Sequence, residues 1–124
     1  MALGIGDDAA LLNVTPGQQL AMASDTLVAG VHFPETASGR QVATRSLCVN
    51  LSDMAAMGAN PRWFTLALTL PSDKANAEWL ADFSAGLGDI AKQHNVALVG
   101  GDTTSGPLTL TLTLVGEVPV GEAL

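Results

Sequence analysis

Residues 108–114 alternate without a break, Leu108, Leu110, Leu112 and Leu114 against Thr109, Thr111 and Thr113. A repeat of two is the side-chain period of a β-strand, so this segment has one apolar face and one of hydroxyls. Residues 63–70 repeat the pattern, with Leu66, Leu68 and Leu70 opposite Thr65, Ala67 and Thr69. Two such strands call for a sheet covered on both sides. Two segments are available to cover the Leu face. Residues 39–57 read as a helix closed by Gly58, a residue that tolerates the left-handed backbone of a helix end. Residues 76–94 carry Trp79, Leu80, Phe83, Leu87 and Ile90 at helical spacing. The smaller Thr/Ala face is left to pack on another sheet or a second subunit. Shorter strands are expected at Ala10–Val14 and Gln19–Asp25, around a Pro16-Gly17 turn. Another is expected at Val96–Val99, running into Gly100-Gly101.

With 124 residues the chain has room for one modest core. Twelve acidic residues against five Lys and Arg give a net charge of −7. That balance disfavours nucleic acid and an anionic membrane surface, both of which need basic patches. The uncharged run 103–116 is too short for a helical span, and no basic segment followed by an apolar one opens the chain. A cytoplasmic domain is the expectation. Cys48 stands alone, which leaves no internal disulfide and no cysteine zinc site. Motif-like residues begin at Gly4 and the other end stops in a turn, so we expect the N-terminal domain of a longer protein.

The twelve acids divide by context. Glu35, Asp73, Glu78, Asp82, Asp89, Glu117 and Glu122 lie in polar, turn or helix-surface surroundings and read as solvated. Asp7, Asp8, Asp25, Asp53 and Asp102 do not. Asp7 and Asp8 follow Gly4 and Gly6 and precede an apolar run, where adjacent carboxylates need cations or donors; an ordinary Gly-Asp turn is the plainer reading. Asp25 ends a strand beside the Ser24 hydroxyl, with capping as its plainer role. Asp53 falls near one helical stripe with Ala43, Ser46, Leu47, Asn50 and Met57, a stripe expected to face inward. A mid-helix aspartate cannot cap, and no basic residue stands at an obvious pairing position; the wet edge of the helix is its alternative. Asp102 follows Gly100-Gly101 and precedes Thr103-Thr104, in either a hairpin turn or a ligand-approaching loop.

Carboxylates, hydroxyls and an amide are hard oxygen donors, which favour magnesium over zinc or copper. Magnesium held by a few carboxylates commonly shares its shell with substrate phosphates. No phosphate-binding Gly-x-x-x-x-Gly-Lys-Ser/Thr loop is present, and no Lys or Arg adjoins the Asp motifs. A domain handling polyphosphate would therefore draw its local positive charge from metal ions.

Four segments carry a resemblance: Gly4-Ile5-Gly6-Asp7-Asp8-Ala9-Ala10, residues 24–33 from Ser24-Asp25-Thr26 to Gly30-Val31-His32-Phe33, Val49-Asn50-Leu51-Ser52-Asp53 through Met57-Gly58-Ala59, and Gly100-Gly101-Asp102-Thr103-Thr104. In this order they resemble the thiamine-monophosphate kinase family, of the aminoimidazole-ribonucleotide-synthetase-like superfamily. The resemblance implies an α+β domain, a mixed sheet with helices on one face that forms half of a β-barrel across a homodimer. It implies ATP as phosphate donor, thiamine monophosphate as acceptor, and a C-terminal domain that completes the site. Asp8, Asp25, Asp53 and Asp102 would hold magnesium ions with a hydroxyl from Ser24. Asp25, Asp53 and Asp102 would form the catalytic set, Gly101 with Asp102 would approach the nucleotide, and His32 would touch thiamine monophosphate.

Two positions depart from the family pattern. Ala23 stands where many members have a hydroxyl residue, and Ala85 precedes Gly86 where many have an aromatic one. His32 otherwise reads as a turn or packing histidine, His94 as a helix-end residue, and Cys48 as a small buried hydrophobe. Trp63, Phe64, Trp79 and Phe83 read as core. The competing readings are a sister enzyme, of the selenophosphate synthetase or hydrogenase-maturation type, and a non-catalytic dimerisation module.

Overall fold

The computed structural model describes residues 11–122. The elements run β1 (Gln18–Val28), α1 (Gly39–Ala56), β2 (Asn60–Leu70), α2 (Ala77–Gln93), β3 (Ala97–Ser105) and β4 (Thr109–Pro119). They build one four-stranded sheet in the order β1-β4-β2-β3. β4 is antiparallel to both β1 and β2, whereas β2 and β3 are parallel because α2 carries the chain back between them. This is the mixed sheet with helices on one face that the sequence leads one to expect.

Leu110, Leu112 and Leu114 of β4 are fully buried beneath the helices, together with Phe64 of β2. Side chains of this size stabilise the fold by about 1.5–3 kcal/mol each when withdrawn from water. Val42, Ala43, Leu47 and Met54 of α1 and Phe83 and Leu87 of α2 close the same core. Trp79 is half-buried and stacks on Phe83 with ring centroids 5.4 Å apart. Ser38 and Gln41 form a reciprocal cap at the start of α1, and Asn76 caps α2 through the Trp79 N–H. The two helices touch closely: a Cβ on Gly86 would lie 2.9 Å from the Arg40 Cα, and one on Gly39 would lie 2.4 Å from the Trp79 carbonyl oxygen.

The opposite face carries a hydroxyl ladder. Ser24 Oγ lies 3.1 Å from Thr113 Oγ1, Thr26 Oγ1 lies 2.9 Å from Thr111 Oγ1, and Thr69 Oγ1 lies 3.0 Å from Thr104 Oγ1. Met22 of β1 is 65% exposed on that face, and Leu20 beside it is partly open. At one end of the face, Trp63, Val99 and Val115 form a second, smaller apolar cluster, against which Leu12 packs.

Four expectations need correction. The described part of the expected first strand, residues 11–14, has no regular structure; a turn through Pro16 and Gly17 leads into β1, which extends three residues beyond Asp25. Gly100-Gly101-Asp102-Thr103-Thr104 is neither loop nor hairpin turn but the interior of β3, which pairs with β2 on one side only. Glu117, read as a solvated acid, is 5% exposed. Cys48 is half-buried rather than buried.

Candidate functional site

β1 is an edge strand whose odd-numbered residues face α1, and that register places Asp25 in the same row as Leu112 of β4. α1 ends at Ala56, with Gly58 at φ 72°, so Asp53 sits in its last turn above the sheet. Asn50, one turn earlier, is fully buried; its Nδ2 donates to the Ser46 carbonyl at 2.9 Å, which leaves Oδ1 without a partner. Asp53 itself is exposed, contrary to the inward position expected for it. Its stripe reaches the helix end there, and the side chain emerges at the wet edge.

Asp25 and Asp53 nevertheless meet. A hydrogen bond from the Asp53 carboxyl is the main reason the Asp25 pKa stands above its ordinary 3.8, with burial and the Asp53 charge adding to the rise and His32 opposing it. Asp25 Oδ2 is buried and has no hydrogen-bond partner. Two adjoining carboxylates with an orphaned oxygen are electrostatically incomplete at neutral pH. A proton or a hard cation completes them, so these residues fit magnesium by donor type and by the unsatisfied atom.

His32 belongs to the turn after β1. Its Nδ1 accepts from the Val28 N–H at 2.9 Å, which leaves the ring proton on Nε2. Gly30, at φ 81°, donates its N–H to the Phe33 carbonyl at 2.7 Å and closes the turn. Arg45 Nε donates to the His32 carbonyl at 2.7 Å. A cation thus stands beside the His32 turn although none adjoins it in sequence. The pairing joins the β1–α1 connection to the outer face of α1, and no local spacing signals it.

The other candidates lie elsewhere. Asp25, Leu112, Leu66 and Gly101 form one row across the sheet, so β1 and β3 are three strand spacings apart, about 14 Å. Asp102 pairs in register with Ala67, which places it on the hydroxyl face, opposite the face Asp25 occupies. Ser24 also points to the hydroxyl face, bonded to Thr113, and not toward Asp25. Gly101 has φ 150°, and a Cβ there would lie 1.9 Å from the Leu66 carbonyl oxygen, so close strand contact alone requires glycine. Asp7 and Asp8 lie outside the described residues. Among the described residues no three His, Cys, Asp or Glu side chains converge as a metal cluster. The structure therefore brings Asp25 and Asp53 together, leaves His32 in the neighbouring turn, and holds Asp102, Gly101 and Ser24 apart from them.

Glu117 is a second acid that sequence reasoning misplaced. Its carboxylate accepts the Thr15 backbone N–H at 2.6 Å and the Thr15 hydroxyl at 3.0 Å, and pairs with Arg62. The Thr15 backbone bond, reinforced by the Thr15 hydroxyl and Arg62, holds its pKa below the usual carboxylate range despite its burial. The signal was present in the alternation, because Glu117 continues the row Thr109, Thr111, Thr113 and Val115.

A mixed sheet with two helices on one face defines an α+β domain, with a carboxylate pair where β1 meets the end of α1. Residues 6–118 match the family described as AIR synthase related protein, N-terminal domain, and the chain belongs to that family. It is 53% identical over 122 residues to a thiamine-monophosphate kinase of Escherichia coli K12, across 98% of this chain and 37% of the relative. A crystal structure of thiamine-monophosphate kinase from Stenotrophomonas maltophilia K279a superposes with a TM-score of 0.90 at 52% identity, over 98% of this chain and 38% of that one. A structure described as AaThiL complexed with AMPPCP and TMP superposes at 0.79 with 29% identity, over 92% and 37%. The chain thus spans little more than a third of the length of these relatives.

Proposed function

We propose that this chain is the N-terminal domain of a thiamine-monophosphate kinase. The whole enzyme would be cytoplasmic, transferring the γ-phosphate of ATP to thiamine monophosphate to give thiamine diphosphate. A second domain would complete the site, and a second copy of the chain would cover the hydroxyl face to close a barrel. The likeness to named kinases over nearly the whole chain supports the substrate assignment. The exposed Met22 and the uncovered Ser/Thr ladder support the homodimer. Among the described residues no helix is long and apolar enough to cross a membrane.

The observation that carries the chemistry is the Asp25–Asp53 pair with its orphaned Asp25 oxygen. These two residues would hold magnesium, with Asp8, Asp102 and Ser24 as further proposed ligands once the rest of the assembly is in place. Bound there, magnesium supplies charge neutralisation for the ATP and substrate phosphates. Asp25 serves as a ligand in its ionised form, and because the Asp53 carboxyl raises its pKa, a cation bound there competes with a proton. His32 offers its Nε2–H outward as a donor to thiamine monophosphate, in a turn fixed by the Val28 N–H and Arg45. Gly101 and Asp102 would line the approach of the nucleotide from the β3 edge.

The test is an assay of the full-length protein with thiamine monophosphate, ATP and magnesium, with thiamine diphosphate read by chromatography. Magnesium-dependent product is expected, with Asp53→Ala lowering turnover at least 100-fold while the protein stays dimeric. Unimpaired turnover in that variant would remove Asp53 from the site; no product from the wild type would remove the kinase assignment.

A further inference from the structure

We propose that Asn50 is a positioning residue, a buried neutral acceptor whose Oδ1 takes a hydrogen bond from a water of the magnesium held by Asp25 and Asp53. This role rests on the proposed reading of that carboxylate pair as a magnesium site.

Among the described residues three buried side-chain atoms have no hydrogen-bond partner: Asp25 Oδ2, Asn50 Oδ1 and Trp79 Nε1. The two oxygens belong to the elements that meet at the carboxylate pair. Asn50 stands three residues before Asp53 on α1, so the two side chains occupy successive turns of one helical face, about 5–6 Å apart at Cβ. Asp53 is exposed and Asn50 is fully buried, which puts the amide on the core side of the pair. The amide has one orientation. A backbone carbonyl only accepts, so the arm that meets the Ser46 carbonyl at 2.9 Å is Nδ2, and Oδ1 on the other arm of the planar group is turned away from it.

Packing and helix formation both favour a different residue at this position. Ser46, the preceding buried polar residue on the stripe, donates its hydroxyl proton to the Val42 carbonyl at 2.7 Å. Asn50 uses only its donor arm, and asparagine is a poor helix former. Leu47 and Met54 fill the same fully buried stripe, so a leucine at 50 would match its neighbours and leave no polar atom stranded. An orphaned amide oxygen does suit hydrated magnesium. The ion keeps several of its waters, and a metal-bound water is a donor to an acceptor such as Oδ1. An amide accepts that bond without adding a third negative charge to two carboxylates that already oppose each other.

The experiment uses the full-length protein labelled with ¹³C at aspartate carboxyls, as wild type, Asn50→Leu and Asn50→Asp. Leucine removes both arms of the amide, whereas aspartate keeps an oxygen acceptor and loses the donor to Ser46. Melting in EDTA is read by calorimetry, and half-saturating magnesium is read from the Asp25 and Asp53 resonances with magnesium alone. Asn50→Leu should melt about 2 °C or more above wild type in EDTA, with half-saturating magnesium raised about fivefold, the worth of one hydrogen bond. Asn50→Asp should melt below wild type in EDTA, because a third carboxylate joins the pair, yet bind magnesium within about twofold of wild type. A residue serving only the helix or the core would not trade stability against metal binding, nor be rescued by aspartate. Asn50→Leu decides alone if Asn50→Asp does not fold. Half-saturation unchanged in Asn50→Leu, or raised alike in both variants, overturns the role of Oδ1 and leaves the pair as a magnesium site. Asn50→Leu melting below wild type in EDTA overturns it as well. Wild-type Asp25 and Asp53 resonances that ignore magnesium overturn the reading of the pair itself, and the role of Asn50 falls with it.

Discussion

Asp25 and Asp53 oppose each other unless something positive or a proton stands between them, and this sets the pH behaviour of the metal-free domain. The Asp25 pKa is raised on folding, chiefly by the Asp53 carboxyl. Stability tied to a raised carboxyl pKa is fully present below the unfolded value, near 3.8, and is lost as pH climbs through the folded one. Replacing Asp53 by Asn removes the repulsion and supplies an amide donor to ionised Asp25. A like-charge contact in partly solvated surroundings costs about 1 kcal/mol. Asp53→Asn should therefore raise the melting temperature in EDTA at pH 7 by about 4 °C and leave it nearly unchanged at pH 3.5. Circular dichroism melts at the two pH values check this; equal melting at pH 7 would mean that the carboxylates do not feel each other.

At the scale of elements, glycines separate structural need from ligand approach. Gly101→Ala would force a Cβ onto the Leu66 carbonyl at a backbone angle that side chains avoid. A loss of about 3 kcal/mol is expected, read by urea unfolding. Gly88→Ala is the control: it lies within α2 with nothing within 4 Å of a new Cβ. It should gain about 0.5–1 kcal/mol from helix propensity. A tolerated Gly101→Ala would show that β2 and β3 do not approach as closely as described. Both helices were legible in the sequence, with residues 39–57 missing α1 by only one residue, and β2 and β4 were legible because each carries a repeat of two. The Gly-Gly-Asp segment was misread because glycine pairs and turns look alike, whereas here the glycine serves strand contact. Asp53 lay on the expected stripe, yet a stripe does not reveal where it runs out at a helix end. Asp25 meeting Asp53, Arg45 reaching the His32 turn and Glu117 holding Thr15 are contacts between distant segments. Local periodicity carries no information about them.

At the scale of the molecule, the net charge of −7 has an internal structure. Glu117 is taken up by Thr15 and Arg62, two acids confront each other near the end of β1, and Asp102 stands on the far edge and opposite face. A single protomer therefore presents two separated acidic stations, and the proposed second copy and second domain are what must bring phosphate, metal and β3 into one reaction. The β1–α1 station is complete enough to be tested by itself. Magnesium titration of the protein labelled with ¹³C at aspartate carboxyls, at pH 7, follows Asp25 and Asp53 directly. The account predicts that both resonances shift along one saturation curve, and that Asp25→Asn abolishes the response of Asp53. Resonances of the pair that stay fixed while magnesium saturates, or an Asp53 response unaltered in Asp25→Asn, would contradict it.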